Sequence, residues 1–326
     1  MKKLLAVLLA VAMICALGVT AFADDAVAPK DGGSKVTFTT GGESGTYYAL
    51  GGVISQKISE VTSTNVTAIT SGGSAANIDA IDFGDAQFGF TQYDVMMYAY
   101  EGTNTYEDTG AIDSFSVVTA LYPEAVQIIT LDPEIKSVAD LKGKRVSIGA
   151  AGSGVYFNAI DVLGAYGLTE NDIVPTYQGF GDSVEALQDG QIDAGFVVAG
   201  APTTAPTSLA ASRQIYLISI DDEHADKLVE DIPTYTKAVI PADVYNLTED
   251  CNTVAVNSVV IAGNDVSDAD VYNFLYGIYE NLDDLAKAHS VANSLSLELA
   301  SSITTVPYHP GAVQYFADKG IEVPAE

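Results

Sequence analysis

Two stretches of this 326-residue chain repeat one pattern. Ile78 to Phe90 reads IDAIDFGDAQFGF and Val184 to Phe196 reads VEALQDGQIDAGF; both are apolar-x-Ala-apolar-x-x-Gly-x-x-x-x-Gly-Phe. Upstream of each, at nearly the same distance, Ser44-Gly45-Thr46-Tyr47-Tyr48 aligns with Ser153-Gly154-Val155-Tyr156-Phe157. Short α/β units share such patterns through packing alone. Two separate pieces matching in order point instead to two lobes of similar construction.

The segments around the repeats support an α/β chain. KVTFTT (35–40) alternates and is β-branched, so it reads as a strand. Tyr47, Leu50, Ile54, Ile58 and Val61 recur at helical spacing. NVTAIT (65–70) and AQFGFT (86–91) read as strands around a helix over 74–83. In the second half RVSIGA (145–150), a helix from Val155 to Tyr166, a helix over 183–190 and a strand over 191–199 repeat the alternation. Strands interleaved with helices imply a parallel sheet. A strand at 253–263 and one long helix over 267–288, with Ser267 as its N-cap, follow and should return to buttress the first lobe.

The N-terminal MKKLLAVLLAVAMICALGVTAFADD has a basic start, an apolar run and an Ala21-Phe22-Ala23 cleavage pattern, the form of a secretory signal peptide over residues 1–23. An uncleaved anchor is the alternative, since the run is nearly long enough to span a bilayer. Met13-Ile14 before Cys15 lack the small residues of a lipoprotein site. Residues 24–35 read as a flexible leader. The rest should be exported, with no direct membrane insertion after cleavage, in a periplasm or at a cell surface. Cys251 is then the one remaining cysteine, so no intrachain disulfide forms. The formal net charge of −29 opposes nucleic acid and anionic lipid as partners.

Each half places a Ser-Gly loop between a strand and a helix. Such a loop presents backbone N–H groups and the positive end of a helix dipole, a setting for a carboxylate or phosphate. Helix capping by Ser74 and Ser153 is expected at minimum. GGESG and GAAGSG lack the spacing of a dinucleotide fingerprint, and no Walker lysine or G-x-S-x-G elbow occurs. The three histidines are not at metal-ligand spacing, so neither metal nor cofactor is expected, and binding is favoured over catalysis. Ligands of open α/β sheets lie beyond the strands' carboxyl ends. That adds Ser71, Ser74 and Asn77, the TQYD loop with Gln92, Tyr93 and Asp94, and Gly200, Ala201 and Thr203.

TTGGESGTYYALGG, SGGSAAN, FTQYD, LYPEAVQIIT, VADLKGKRVSIGAAGSG, LQDGQIDAGFVVAGAPT and PYHPGAVQYF, in that order, resemble the TAXI family of TRAP-transporter solute receptors. The resemblance covers about Val36 to Gly320. It implies a two-lobed type II periplasmic-binding-protein fold with two crossover strands, near Leu121–Ala125 and Val254–Val260. Lobe 1 would take 36–122 and 255–326, and lobe 2 would take 123–254. It further implies capture of a small carboxylate or amino acid, such as glutamate, glutamine or 2-oxoglutarate, for a TRAP-type membrane permease. Site positions carry over onto Gly45, Tyr47 and Tyr48, Ser74 and Asn77, Gln92 and Asp94, and Ser153 and Gly154. Ser44 and Thr46 belong to the same loop.

Glu43 departs from the neutral residue common in the family's loop. Facing the cleft, it or Asp94 would favour an ammonium group on the ligand. Tyr47 fits the apolar helix stripe, which leaves Tyr48 as the expected ligand cover. The alternatives are a receptor of an ATP-driven importer, a sensor, or a secreted hydrolase using the cleft.

Overall fold

The computed structural model describes residues 27–325; the signal segment 1–23, with Cys15, lies outside them. The first half runs β1 (Lys35–Thr39), α1 (Thr46–Val61), β2 (Asn65–Ile69), α2 (Ser74–Asp82), β3 (Phe88–Gln92) and α3 (Tyr93–Glu101). A long strand β4 (Phe115–Thr130) leads to β5 (Arg145–Ser147), α4 (Val155–Ala165), β6 (Val174–Thr176), α5 (Phe180–Gln188) and β7 (Ala194–Ala199). Then come α6 (Thr204–Ala210), β8 (Tyr216–Leu217), α7 (Asp222–Asp231), β9 (Thr236–Ile240) and a second long strand β10 (Cys251–Gly263). The chain ends with α8 (Asp268–Tyr279), α9 (Leu282–Ala288), α10 (Leu297–Ala300) and α11 (Pro310–Asp318).

The strand order is β2-β1-β3-β10-β4-β7-β5-β6. The outer triplets mirror each other: β1 lies between β2 and β3, and β5 lies between β6 and β7, all parallel. The repeated sequence pieces occupy equivalent places in the two triplets, at the start of α1 and α4 and from α2 and α5 into β3 and β7.

β4 and β10 join the halves. They pair antiparallel with each other, with β3 on one side and β7 on the other. β4 is 16 residues long, roughly 50 Å of extended chain, enough to serve two lobes. Both strands are almost wholly buried, hence their near-continuous apolar sequence. Pro123 is the exposed exception in β4, at a point where β4 pairs with β10 and not yet with β7, whose pairing begins at Ala125. A proline lacks the ladder N–H, so it fits where one side of a strand is unpaired. Opposite it, β10 shifts register between Asn257 and Val259.

One apolar cluster joins β1–β3 to the C-terminal helices, with Phe38, Phe90 and Phe274 at its centre. Phe38 sits 4.8 Å from Phe90 and 5.2 Å from Phe274, ring to ring. Two further clusters flank the β5–β7 sheet. α1 buries Leu50, Ile54 and Ile58, the stripe read from its spacing. Gly51 lies on the same face, and a Cβ there would stand 2.6 Å from Thr40 Cγ2. The helix therefore rides closer to the sheet than another side chain permits.

Four expectations are corrected. Residues 27–34 do not run free: Asn273 brackets Lys30 by two hydrogen bonds, of 2.7 and 3.0 Å, and Ser34 N–H and Oγ both donate to Asp270. The long helix over 267–288 breaks into α8 and α9. Asn281 donates its side-chain amide to Gly277 O at 3.2 Å, so it competes for a helix carbonyl. The TQYD segment is no loop, because α3 starts at Tyr93 directly after β3. RVSIGA is a strand only over Arg145–Ser147; Gly149, with φ +95°, bends the chain away. Ser267 does cap α8, accepting from Asp270 N–H at 3.1 Å.

Candidate functional site

A cavity of about 340 Å³ lies between the two halves. Its walls are helix N-termini: α1 and α2 from the first half, α4 and α5 from the second. Each of these helices has glycine at its N-cap (Gly45, Gly73, Gly154 and Gly179), and none receives a side-chain cap. Ser74 and Ser153 therefore do not cap, contrary to expectation. Ser74 is the first helical residue, and its Oγ accepts from Gln92 N–H at 3.1 Å. Ser153 Oγ donates to Ala150 O at 2.7 Å. Gly73 holds φ +106°, a conformation that excludes most side chains. The end of α2 is closed by backbone, since Ala75 and Ala76 N–H donate to Gly152 O. The ends of α1, α4 and α5 offer their partial positive charge to the cavity.

Glu43, Ser44, Gly45, Thr46, Tyr47, Ser74, Gln92, Ser153 and Gly154 all line this cavity. Glu43 is exposed and sits on the rim. Tyr47 packs on the core as expected and lines the cavity as well, whereas Tyr48 does not cover it. Tyr47 lines the cavity and stacks on Phe90 at 4.4 Å, whereas Tyr48 is 37% exposed outside it. Asn77 is fully buried, with its amide donating to Thr40 O and Phe90 O at 2.7 Å each. It fastens α2 to the sheet and stays out of the cavity. Gly200 and Ala201 line a separate cavity of about 160 Å³ beside Tyr122 and Pro123.

Asp94 lies beneath the floor as part of a buried polar chain that crosses between the halves. Gln92 Nε2 donates to Asn158 Oδ1 at 2.9 Å, and Asn158 Nδ2 donates to Asp94 Oδ2 at 2.8 Å and to Tyr235 Oη at 2.7 Å. Tyr235 Oη donates in turn to Asp161 Oδ2 at 3.0 Å. Burial pushes Asp94 up to about 7 and Asp161 up to about 6. Further bonds cross the cleft at its edges. Thr46 Oγ1 donates to Gly200 O at 2.9 Å, and Ala205 N–H donates to Ser44 O at 3.2 Å. The two halves are thus closed on each other.

Glu124 was not among the expected site residues. It sits on β4 in the cavity lining, only 2% exposed, and accepts from Tyr47 Oη at 3.1 Å. Burial drives its carboxyl well above the usual range. Glu124 is the one charged residue in the run FSVVTALYPEAVQIIT, and that was the available signal. Gly179, Phe180 and Asp182 of the α5 wall were also missed; α5 starts three residues before the expected 183. Among the described residues no cluster of His, Cys, Asp and Glu is arranged to hold a metal ion, and no helix is long and apolar enough to cross a membrane.

The model of the NMT1-like family matches residues 38–320. Among solved structures, the fold is similar to the ligand-binding component of an ABC-type import system from Staphylococcus aureus. That match has a TM-score of 0.53 at 11% identity, over 90% of this chain and 94% of that one. A Bordetella bronchiseptica RB50 protein matches with a TM-score of 0.51 at 18% identity, over 87% and 89% of the two chains. A binding protein component of an ABC phosphonate transporter from Pseudomonas aeruginosa matches with a TM-score of 0.50 at 12% identity, over 81% and 80%. The α/β fold is that of periplasmic binding proteins, as the sequence led one to expect.

Proposed function

The chain belongs to the NMT1-like family, and from that premise we propose that it is an extracytoplasmic solute receptor delivering a small polar solute to a membrane importer. The observation that carries the reading is the cavity between the halves whose walls are helix N-termini from both. A solute held by both halves stabilises the closed state, because its contacts exist only there. The cavity suits a small carboxylate or amino acid, of the size of glutamate, glutamine or 2-oxoglutarate. No catalytic step is assigned to it.

The importer is read as ABC-type, since similar folds serve as binding components of such systems. The ordered motifs that resemble those of TAXI receptors motivate a second reading, a TRAP-type permease driven by an ion gradient. Mass spectrometry of small molecules released from the purified protein, followed by calorimetry, tests the receptor reading. A protein that carries no solute and binds none of the three acids overturns it. Uptake into proteoliposomes bearing the permease encoded beside it separates the importers: ATP dependence supports the first, and gradient dependence without ATP supports the second.

A further inference from the structure

We propose that Glu124 and Gln92 form a seat for a positively charged nitrogen, so that the solute is an amine-bearing molecule such as an amino acid. The inference rests on the receptor reading and narrows its solute class. Every charged side chain lining the cavity is acidic: Glu43, Glu124 and Asp182. Glu43 and Asp182 are exposed and solvated. Glu124 is buried at the base, and its surroundings hold no cation: Tyr47 of α1, Tyr122 of β4, Gln92 of β3 and, further off, the like-charged Asp94 of α3. A carboxylate taken out of water without a cation is costly, so Glu124 keeps its proton in the empty closed cavity.

Gln92 adds an independent observation. It is 2% exposed, lines the cavity, and commits its amide N–H to Asn158. Its Oε1 is buried and accepts no hydrogen bond from any N–H or hydroxyl of the described residues, and the carboxyl group of Glu124 beside it is the one group with which it can share a proton. A Cβ at Gly154 opposite would collide with that oxygen, so the Gln92 amide holds this place only because Gly154 lacks a side chain. Once Glu124 gives up its proton, a buried acceptor there needs a donor from the guest. The base of the cavity is therefore acceptor-rich, whereas the ends of α1, α4 and α5 are donor-rich. A protonated amine meets the first and a carboxylate meets the second.

An ammonium seated on Glu124 ionises it, so binding releases a proton. Affinity for amines should then rise with pH, approaching tenfold per unit while Glu124 of the empty protein remains protonated. The experiment is calorimetry at pH 5–7, in buffers of differing ionisation enthalpy. The probes are L-glutamate against 2-oxoglutarate, L-glutamine against 2-oxoglutaramate, and putrescine. The expected result is at least tenfold tighter binding of an amine than of its matched keto acid, with release of about one proton. Glu124→Gln should abolish both the preference and the release, which also separates Glu124 from Asp94 as the proton source. The wild-type release needs no variant to fold. Tighter or equal binding of the keto acids, or amine binding without proton release, overturns the inference and leaves the receptor reading standing. Binding by no probe, together with no co-purified solute, overturns both.

Discussion

Asp94 shows what burial does to a single carboxyl. Its pKa is near 3.8 in an unfolded chain and about 7 here. The folded protein therefore holds a proton that the unfolded chain has released between those values. The stability contributed by that proton is complete below about pH 4 and is lost as pH rises through 7, by at most about 1.4 kcal/mol per unit. Asp161, pushed up to about 6, acts in the same direction. Urea unfolding at pH 5 and pH 8 should show the wild type losing stability toward pH 8, and Asp94→Asn should lose clearly less. An equal slope in the variant would assign the effect elsewhere. The Ser-Gly loop, Gln92 and Ser74 were legible at this scale because loop chemistry is local. Glu124, Asn158 and Tyr235 were not, because their roles arise only when β4 and the second half are brought against the first.

The helices and strands were legible wherever one face is apolar and regular. α1 and β10 fall close to their expected bounds for that reason. The split of α8 from α9 was hidden, since apolar periodicity continues through Asn281 while its side chain takes a helix carbonyl. The failure of Tyr48 as ligand cover, with Tyr47 both packing and lining, has a similar origin. A helix stripe beside a cavity is apolar on both its core-facing and cavity-facing sides, so period alone does not separate packing from lining. Gly51 gives a test at this scale. Gly51→Val would meet Thr40 and Phe90 at 2.6 and 3.2 Å, and overpacking of this kind costs about 1–3 kcal/mol. Chemical denaturation should register that loss. Because α1 also carries Tyr47 and the open end at Gly45, solute affinity should fall with it; unchanged stability would mean that the helix shifts freely on the sheet.

For the whole molecule, the repeated half was readable because both triplets use the same strand order. The closed cleft was not, since contacts such as Thr46 to Gly200 join residues far apart in sequence. The formal charge of −29 also acts at this scale. Self-repulsion opposes any compact state and is screened by salt. Raising NaCl from about 10 to 200 mM, over which the Debye length shrinks severalfold, should lift the melting temperature by about 2 °C or more. A flat response would mean that the acids are spaced widely enough not to oppose folding.

Gly179 turns the open helix ends into a question of fitness. Its φ of −68° and ψ of 167° suit any residue, and a Cβ there meets nothing within 4 Å. A serine would thus be accommodated and would cap α5, gaining up to about 1 kcal/mol from the cap and a stiffer unfolded chain. Gly179→Ser should melt higher than the wild type and hold solute more weakly, read by thermal scanning and calorimetry on one sample. Selection for durability alone would fill that position; under the proposed receptor role, an open helix end facing the solute leaves the chain less robust than its own backbone allows.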